Sequence, residues 1–482
     1  MSTRRNFLAH SAGGFAAIAL SSLMGEVASA AEGKRGIVVD PANPLAARAP
    51  HFAPAAKRVI CLFMNGAPSQ VDTFDYKPEL QDKLAGKPVP ESIKSIKDKV
   101  GGVFKACKDE LYASPFSFAQ HGQSGRWISE LFPNLARCAD DLCVIHSMTG
   151  DSSNHAPATF EMNTGVVLAG RPSMGSWITY GLGSENQNLP GYVLLFDVGP
   201  FGGAVNHSAA FLPGAFQGTR FYSEGDAVLN LRPPEERSDS QRSTYDFIGK
   251  LNARHRAERD GLDELDARIA SYELAYRMQS EALDLGDFGN ESAETLAMYG
   301  IDDANEDTAK YARKCLMARR LAERGVRFVQ LYNTMDGYGW DAHGGEHDIE
   351  KNHRRNAAQV DKPVAALLTD LKRRGMLDDT LVLWLSEFGR TPMLQGDHGR
   401  NHSPYGFSIW LAGGGVRAGQ AIGRTDDIGL RAQVDPYRPK ELHATILQAL
   451  GMRCDDLFFE RSGRQERLTG VAGTAKPIPG VL

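Results

Sequence analysis

The sequence predicts an α/β fold, a mainly parallel, doubly wound sheet that carries a helical insertion. Three observations predict it. Short apolar runs that end in Gly, Pro or Asn recur along the chain, and amphipathic helical patterns separate several of them. Residues 240–325 break this alternation with many charges and an apolar repeat at helical spacing, as in Leu262-Leu265-Ile269-Leu274. A short run that is apolar throughout marks a strand buried on both faces, the situation in a parallel sheet covered by helices.

The elements follow in order. Thr3-Arg4-Arg5-Asn6-Phe7-Leu8 matches the twin-arginine export pattern, a mildly apolar stretch covers Ala12 to Met24, and Ala28-Ser29-Ala30 offers a small-residue cleavage site. Gly13, Gly14, Ser21 and Ser22 make that stretch too mild for a membrane anchor. Residues 1–30 therefore read as a twin-arginine signal peptide. The mature chain is expected in the periplasm or secreted, outside any membrane, with the export machinery as a partner. Residues 31–56, with Pro41, Pro44, Pro50 and Pro54, read as a linker to one α/β domain over 57–482. The first strand is Arg58–Met64, closed by Asn65-Gly66-Ala67-Pro68, and 81–130 is an irregular excursion. Further strands are expected at Leu142–His146, Tyr192–Phe196, Val326–Tyr332, Leu381–Leu385 and Phe407–Ala412. The clearest helix is Val360–Leu371, with Val360, Val364, Leu367, Leu368 and Leu371 on one face.

Composition narrows the function classes. The 482 residues are 42% hydrophobic, 9% aromatic and 23% charged, ordinary proportions for a globular chain. A formal charge of −5 with no basic run excludes a nucleic-acid partner. Six cysteines form no CxxC pair; Cys138 and Cys143 stand close enough to bridge, with two buried thiols the preferred reading.

Ligands of open parallel sheets bind outside the carboxyl ends of the strands. After the first strand come Asn65, Ser69, Asp72 and Asp75, as oxygen ligands or as turn and cap residues. After Leu142–His146 comes His155 at a helix start, leading to Asn163-Thr164-Gly165. After Val326–Tyr332 comes Trp340-Asp341-Ala342-His343-Gly344-Gly345-Glu346-His347-Asp348, a dense set of carboxylates and imidazoles suited to a metal. After Leu381–Leu385 come Glu387 and Arg390, and before the next strand Asp397-His398-Gly399-Arg400-Asn401-His402. Four strand ends on one rim thus carry His or carboxylate, which is stronger than any single motif. No GxSxG elbow and no GxxxxGK[ST] loop occur, against an α/β-hydrolase esterase and a nucleotide triphosphatase.

The segments Asn65-Gly-Ala-Pro-Ser-Gln-Val-Asp-Thr-Phe-Asp75, Asn154-His155 with Asn163-Thr-Gly165, and Arg171-Pro-Ser-Met-Gly-Ser-Trp177 stand in an order that resembles a known family. So do Gly325-Val-Arg-Phe-Val-Gln330, Trp340-Asp-Ala-His343, Ser386-Glu-Phe-Gly-Arg-Thr-Pro392, Gly399-Arg-Asn-His402 and Ala412-Gly-Gly-Gly415. By these the chain, from 57 to about 450, resembles the DUF1501 exported proteins of the alkaline-phosphatase-like and sulfatase-like superfamily. The resemblance implies an alkaline-phosphatase-like sheet, a metal site at the strand ends, and hydrolysis of phosphate or sulfate esters. It also shows departures. Asn65 stands where the superfamily places a metal-binding Asp, and Glu387-Phe388-Gly389 where it places Asp-His-Gly. His155 falls where sulfatases carry the residue converted to formylglycine, a conversion closed to His.

Taken together, the residues and the resemblance give Asp72, Asp341, His343, Glu387 and His402 as ligands of one or two divalent ions (Zn, Mn or Ca/Mg). His155 is expected over the reacting centre, with Asn65, Ser69, Arg390 and Arg400 on a small-molecule or polysaccharide ester substrate. The leading function is an exported metal-dependent hydrolase of such esters. The alternative is a non-catalytic periplasmic binding protein on the same fold. An oxidoreductase ranks third, since no GxGxxG follows a strand.

Overall fold

The computed structural model describes residues 37–40, 43–91, 106–228, 238–257, 263–282, 284–333 and 337–482. The signal peptide expected at 1–30 lies outside them.

The chain begins its sheet with β1 (Arg58–Met64), then α1 (Gln70–Thr73) and a hairpin of β2 (Phe118–His121) and β3 (Arg126–Ser129). Next come β4 (Cys143–Met148), α2 (His155–Thr164), α3 (Met174–Leu182), β5 (Tyr192–Leu195) and β6 (Thr219–Phe221). The helical stretch holds α4 (Ser238–Ala257), α5 (Asp263–Glu281), α6 (Ala293–Tyr299) and α7 (Glu306–Glu323). Then follow β7 (Phe328–Asn333), α8 (Ile349–Arg373), β8 (Thr380–Leu385) and a second hairpin of β9 (Gly389–Gln395) and β10 (Gly399–Ser403). The sheet is completed by β11 (Phe407–Ala412) and β12 (Ala421–Ile422), and α9 (Pro439–Ala449) follows.

Eight strands make the main sheet in the order β12-β4-β11-β8-β1-β7-β5-β6. The fold is the mainly parallel α/β sheet that the apolar runs predict. Val59 pairs with Phe328 on one side and Leu381 on the other, both parallel. The exception is β11, antiparallel to both β4 and β8, which an apolar run alone does not distinguish. Because β11 reverses direction between two strands that agree with β1, the carboxyl ends of β1, β4, β7 and β8 lie on one rim.

Val59 through Met64 are wholly buried, as are all six residues of β7 and of β8. At about 1.5–3 kcal/mol for each large apolar side chain, these strands and their helices carry most of the hydrophobic stabilisation. The helix seen at Val360–Leu371 begins earlier, at Ile349, where the Asp348 side chain accepts the Lys351 N–H at 2.7 Å. The described residues between 240 and 325 hold α4 to α7, and α7 belongs to the core: Tyr311, Cys315, Leu316 and Leu321 are fully buried, and the helix leads into β7. Residues 43–56 also differ from the expected linker. Arg48 donates to the carbonyls of Thr179 and Tyr180 at 2.9 and 2.8 Å, capping α3, and the Ala55 and Ala56 amides bond Ala449. All six cysteines are free thiols, Cys138 and Cys143 buried among them. Among the described residues no helix is long and apolar enough to cross a membrane.

Candidate metal centre

The rim is assembled by the loop after β1. Gly66 adopts φ +97°, and a Cβ there would collide with the backbone of Tyr338, Trp340 and Asp341, so only glycine admits this approach. Ala67 follows at φ +67°, a strained value for a residue with a side chain. The turn is held by the buried Arg390 guanidinium, whose Nε donates to the Ala67 carbonyl at 2.9 Å and whose Nη2 donates to that of Gly66.

Asp341 is the hub. Its Oδ1 accepts from Arg390 Nη2 at 2.5 Å and lies 2.9 Å from His343 Nε2 and 3.1 Å from His402 Nε2. Its Oδ2 lies 3.4 Å from His155 Nε2. Burial disfavours the charge, but the Arg390 guanidinium and then the three imidazoles outweigh it and hold the carboxyl far below the usual range.

Each of the three imidazoles is fixed from behind through Nδ1. His155, the first residue of α2, has Nδ1 2.7 Å from Glu387 Oε1. His402 places Nδ1 2.6 Å from the Ser153 carbonyl, and His343 places Nδ1 2.6 Å from Gln395 Oε1. A carboxylate, a carbonyl and an amide oxygen all accept, so each Nδ1 carries a proton, and a ring in its neutral form presents its Nε2 lone pair forward. Those lone pairs converge on Asp341. The Nε2 atoms of His343 and His402 are 2.9 Å apart, and His155 Nε2 is buried without a hydrogen-bond partner. Nε2 of His155, Nε2 of His402 and a carboxylate oxygen of Asp341 lie within 4.8 Å of one another. Lone pairs facing one another at this range repel unless a cation lies among them. A ring that donates through Nδ1 to an oxygen acceptor and ligates through Nε2 is the usual arrangement of a metal-binding histidine.

The surroundings separate the rings electrostatically. Burial lowers the His155 basicity, but the neighbouring carboxylates of Asp341 and Glu387 more than reverse it and raise its pKa. For His402 burial dominates, reinforced by the charges of Arg390 and His155 against Asp341, and its pKa falls to about 4. Phe201 stacks on His155 with ring centroids 4.3 Å apart. Phe388 touches both His155 and His402, at 5.0 and 4.7 Å.

The structure thus brings together His155, Asp341, His343, His402, Glu387 and Arg390. Glu387 is turned away from the convergence point: Oε1 accepts from Gly66 N at 2.8 Å and from His155, and Oε2 from Ser386 Oγ at 3.1 Å. Asp72 stands apart. Arg400 Nε and Nη2 donate to its two oxygens at 2.6 and 3.1 Å, both side chains are wholly buried, and Arg400 gives its remaining donors to the carbonyls of Tyr112 and Ala113. This differs from an Asp72 ligand and a substrate-binding Arg400: opposite charges in a dry interior satisfy each other. Arg390 is likewise spent on backbone carbonyls and Asp341, and Asn65 and Ser69 are wholly buried. The Ser69 amide donates to His353 Nε2 at 2.9 Å. Asn163, singled out with Thr164 and Gly165, anchors α2 to the sheet by accepting from Gln330 Nε2 at 2.8 Å. Sequence reasoning misses Gln395, the Ser153 carbonyl and Phe201; none carries a metal-ligand signal of its own.

Comparisons with known proteins come to the same chain. The family described as "Protein of unknown function (DUF1501)" matches residues 56–482. No curated protein matches. Among solved structures, the lipoteichoic acid synthase LtaP from Listeria monocytogenes is similar at 10% identity and a TM-score of 0.36, over 89% of this chain and 79% of that one. The PsFucS1 sulfatase from Pseudoalteromonas sp. is similar at 13% identity and 0.35, over 84% and 68%. The alkaline phosphatase of the Antarctic bacterium TAB5 is similar at 12% identity and 0.34, over 83% and 99%.

Proposed function

The chain belongs to the DUF1501 family, and we propose that this member is an exported metal-dependent hydrolase of phosphate or sulfate esters in which His155, Asp341 and His402 hold the ion. The observation that carries the reading is the convergence of Nε2 lone pairs, each set by an acceptor on Nδ1, upon one carboxylate. Three protein ligands leave a coordination position open, as catalytic rather than structural sites do. An ion held by these residues would supply Lewis-acid polarisation of a phosphoryl or sulfuryl oxygen and would lower the pKa of a water. The reading moves His155 from above the reacting centre into the ligand set and Glu387 behind it as the carboxylate that orients the ring. His343, with Nε2 2.9 Å from Asp341 Oδ1, adjoins the ligands. Phe201 covers one face of His155 and keeps water from that side.

Export rests on the twin-arginine pattern at residues 3–8 and the small-residue site ending at Ala30. The N-terminus of the protein recovered from its host tests it; a start at Ala31 supports it, and an intact Met1 refutes it.

The binding-protein reading is favoured by one observation, that Arg390 and Arg400 are buried with their donors on aspartates and carbonyls, and that Asn65 and Ser69 are buried as well. It predicts bound metal without turnover. Elemental analysis of the purified protein, followed by assays on aryl phosphates and sulfates with and without chelation, separates the two. Turnover that disappears on chelation and returns with the ion supports the hydrolase; bound metal with no turnover supports the binding protein.

A further inference from the structure

We infer that Phe201 is a fixed wall of the metal centre and that Asn206 and Asn163 are the positioning residues that hold it there. The inference rests on the metal-binding part of the proposed function and is independent of the substrate. Phe201 lies in the loop after β5, whose carboxyl end shares the rim with that of β7 because the two strands run parallel. Its ring centroid lies 4.3 Å from that of His155, with the two planes at 23°. Two features seat the loop. Gly202 takes φ +84°, and a Cβ there would collide with the Phe160 ring and crowd Ala156, both on α2. The second feature is a chain of buried side-chain amides that reaches the loop from the sheet.

Tyr192 Oη donates to Gln330 Oε1 at 2.6 Å, and Gln330 Nε2 donates to Asn163 Oδ1 at 2.8 Å. Asn163 Nδ2 donates to Asn206 Oδ1 at 3.2 Å and to the Thr159 carbonyl at 2.9 Å. Asn206 Nδ2 gives both protons to the loop, to the carbonyls of Phe201 at 2.8 Å and Gly203 at 3.1 Å. Gln330, Asn163 and Asn206 are 1%, 2% and 0% exposed. A buried amide is costly unless its donors are met, and here both protons of each asparagine have an acceptor. Bonds that all run in one direction also strengthen one another. Leucines would fill the same space. What the amides add is direction, since the chain ends on the carbonyl of the residue stacked against His155. One helix, α2, carries His155 at its start and Asn163 near its end, so the ligand and the wall share one support. A wall so placed shields one face of the His155 ring and narrows the path by which an ion leaves.

The test uses the full chain, first without metal and then loaded with Zn²⁺. Two rates are read: carbethoxylation of His155 by diethylpyrocarbonate, located by peptide mass spectrometry, and release of Zn²⁺ to a chelator. Both are expected to rise about ten-fold in Phe201→Ala and in Asn206→Leu. Asn206→Ser takes the place of Asn206→Leu if that variant does not fold. His443, wholly buried on α9, is the control for general loosening, and its carbethoxylation should stay at the parent rate. In the Phe201→Ala background the Asn206 change should add nothing to either rate, because it acts through the ring. A double variant faster by the product of the two single effects, or His443 reacting faster along with His155, makes Asn206 a packing residue and overturns its assignment. Unchanged rates in Phe201→Ala overturn the wall itself. Failure to bind Zn²⁺ overturns the metal reading alone, and the carbethoxylation arm, which needs no ion, still decides the positioning of Phe201.

Discussion

Two aspartates, each with a buried arginine, have opposite fates on the same rim. Asp72 gives both oxygens to Arg400 in a pair sealed from solvent on both sides. Asp341 gives one oxygen to Arg390 and keeps its carboxylate against three imidazoles. Burial opposes both charges, and in both the guanidinium wins, holding each carboxyl below its ordinary range. The difference is in what remains. The Asp72 pair is complete and supports the fold, whereas the Asp341 pair leaves electron pairs uncompensated. A buried carboxylate becomes a functional candidate through its unused acceptors more than through its burial.

The comparison can be broken in order of effect. Asp341→Asn removes the hub, and bound metal measured by elemental analysis is expected to fall to background while the apo fold survives. Arg400→Met leaves Asp72 charged and alone in the interior, a change that costs about 3–5 kcal/mol in denaturant unfolding. If Arg400→Met unfolds like the parent protein, Asp72 is not the structural member of the two. Glu387→Ala frees the His155 ring without removing a ligand, so metal affinity by competitive chelation should weaken about 10–100-fold. Glu387→Gln keeps an acceptor for Nδ1 and should weaken it less; equal losses in the two variants would argue for direct ligation by Glu387.

Glu161 sharpens the contrast from the other side, because no guanidinium bonds it. Its carboxylate accepts the Asp151 amide at 2.8 Å, and burial pushes its pKa up from 4.5 to about 7. A carboxyl raised in the folded state favours folding while protonated. That contribution is full below about pH 4.5 and is lost as pH rises through about 7. Glu161→Gln should therefore raise stability at about pH 8 by about 1–2 kcal/mol and leave it unchanged at about pH 4. A stability gain that is the same at both values would show that the carboxyl does not titrate with folding.

Much of this architecture is legible in the residues. The runs at β1, β7 and β8 are apolar throughout because helices cover both faces, and their ends announce Asn65, Asp341 and Glu387. The Asp341–His343 cluster is legible because hard ligands crowd eight residues. The Asp72–Arg400 pair is not, since it joins residues 328 positions apart and neither has a local pattern that names the other. The role of Glu387 is hidden for a related reason. Which way a carboxylate faces at a strand end is decided by the Gly66 amide and His155, from two other strand ends. The antiparallel course of β11 is equally silent, because burial on both faces gives the same apolar run in either direction.

The Gly66 amide, donated to Glu387 across 321 positions of sequence, has a consequence for how the centre can be watched. Glu387 also holds the His155 ring, so this one backbone proton exchanges with deuterated solvent only when the carboxylate lets go. An ion that locks His155 locks Glu387, and so slows that exchange. Loading and loss of the metal could then be followed at a single peptide spanning the end of β1, with no substrate present.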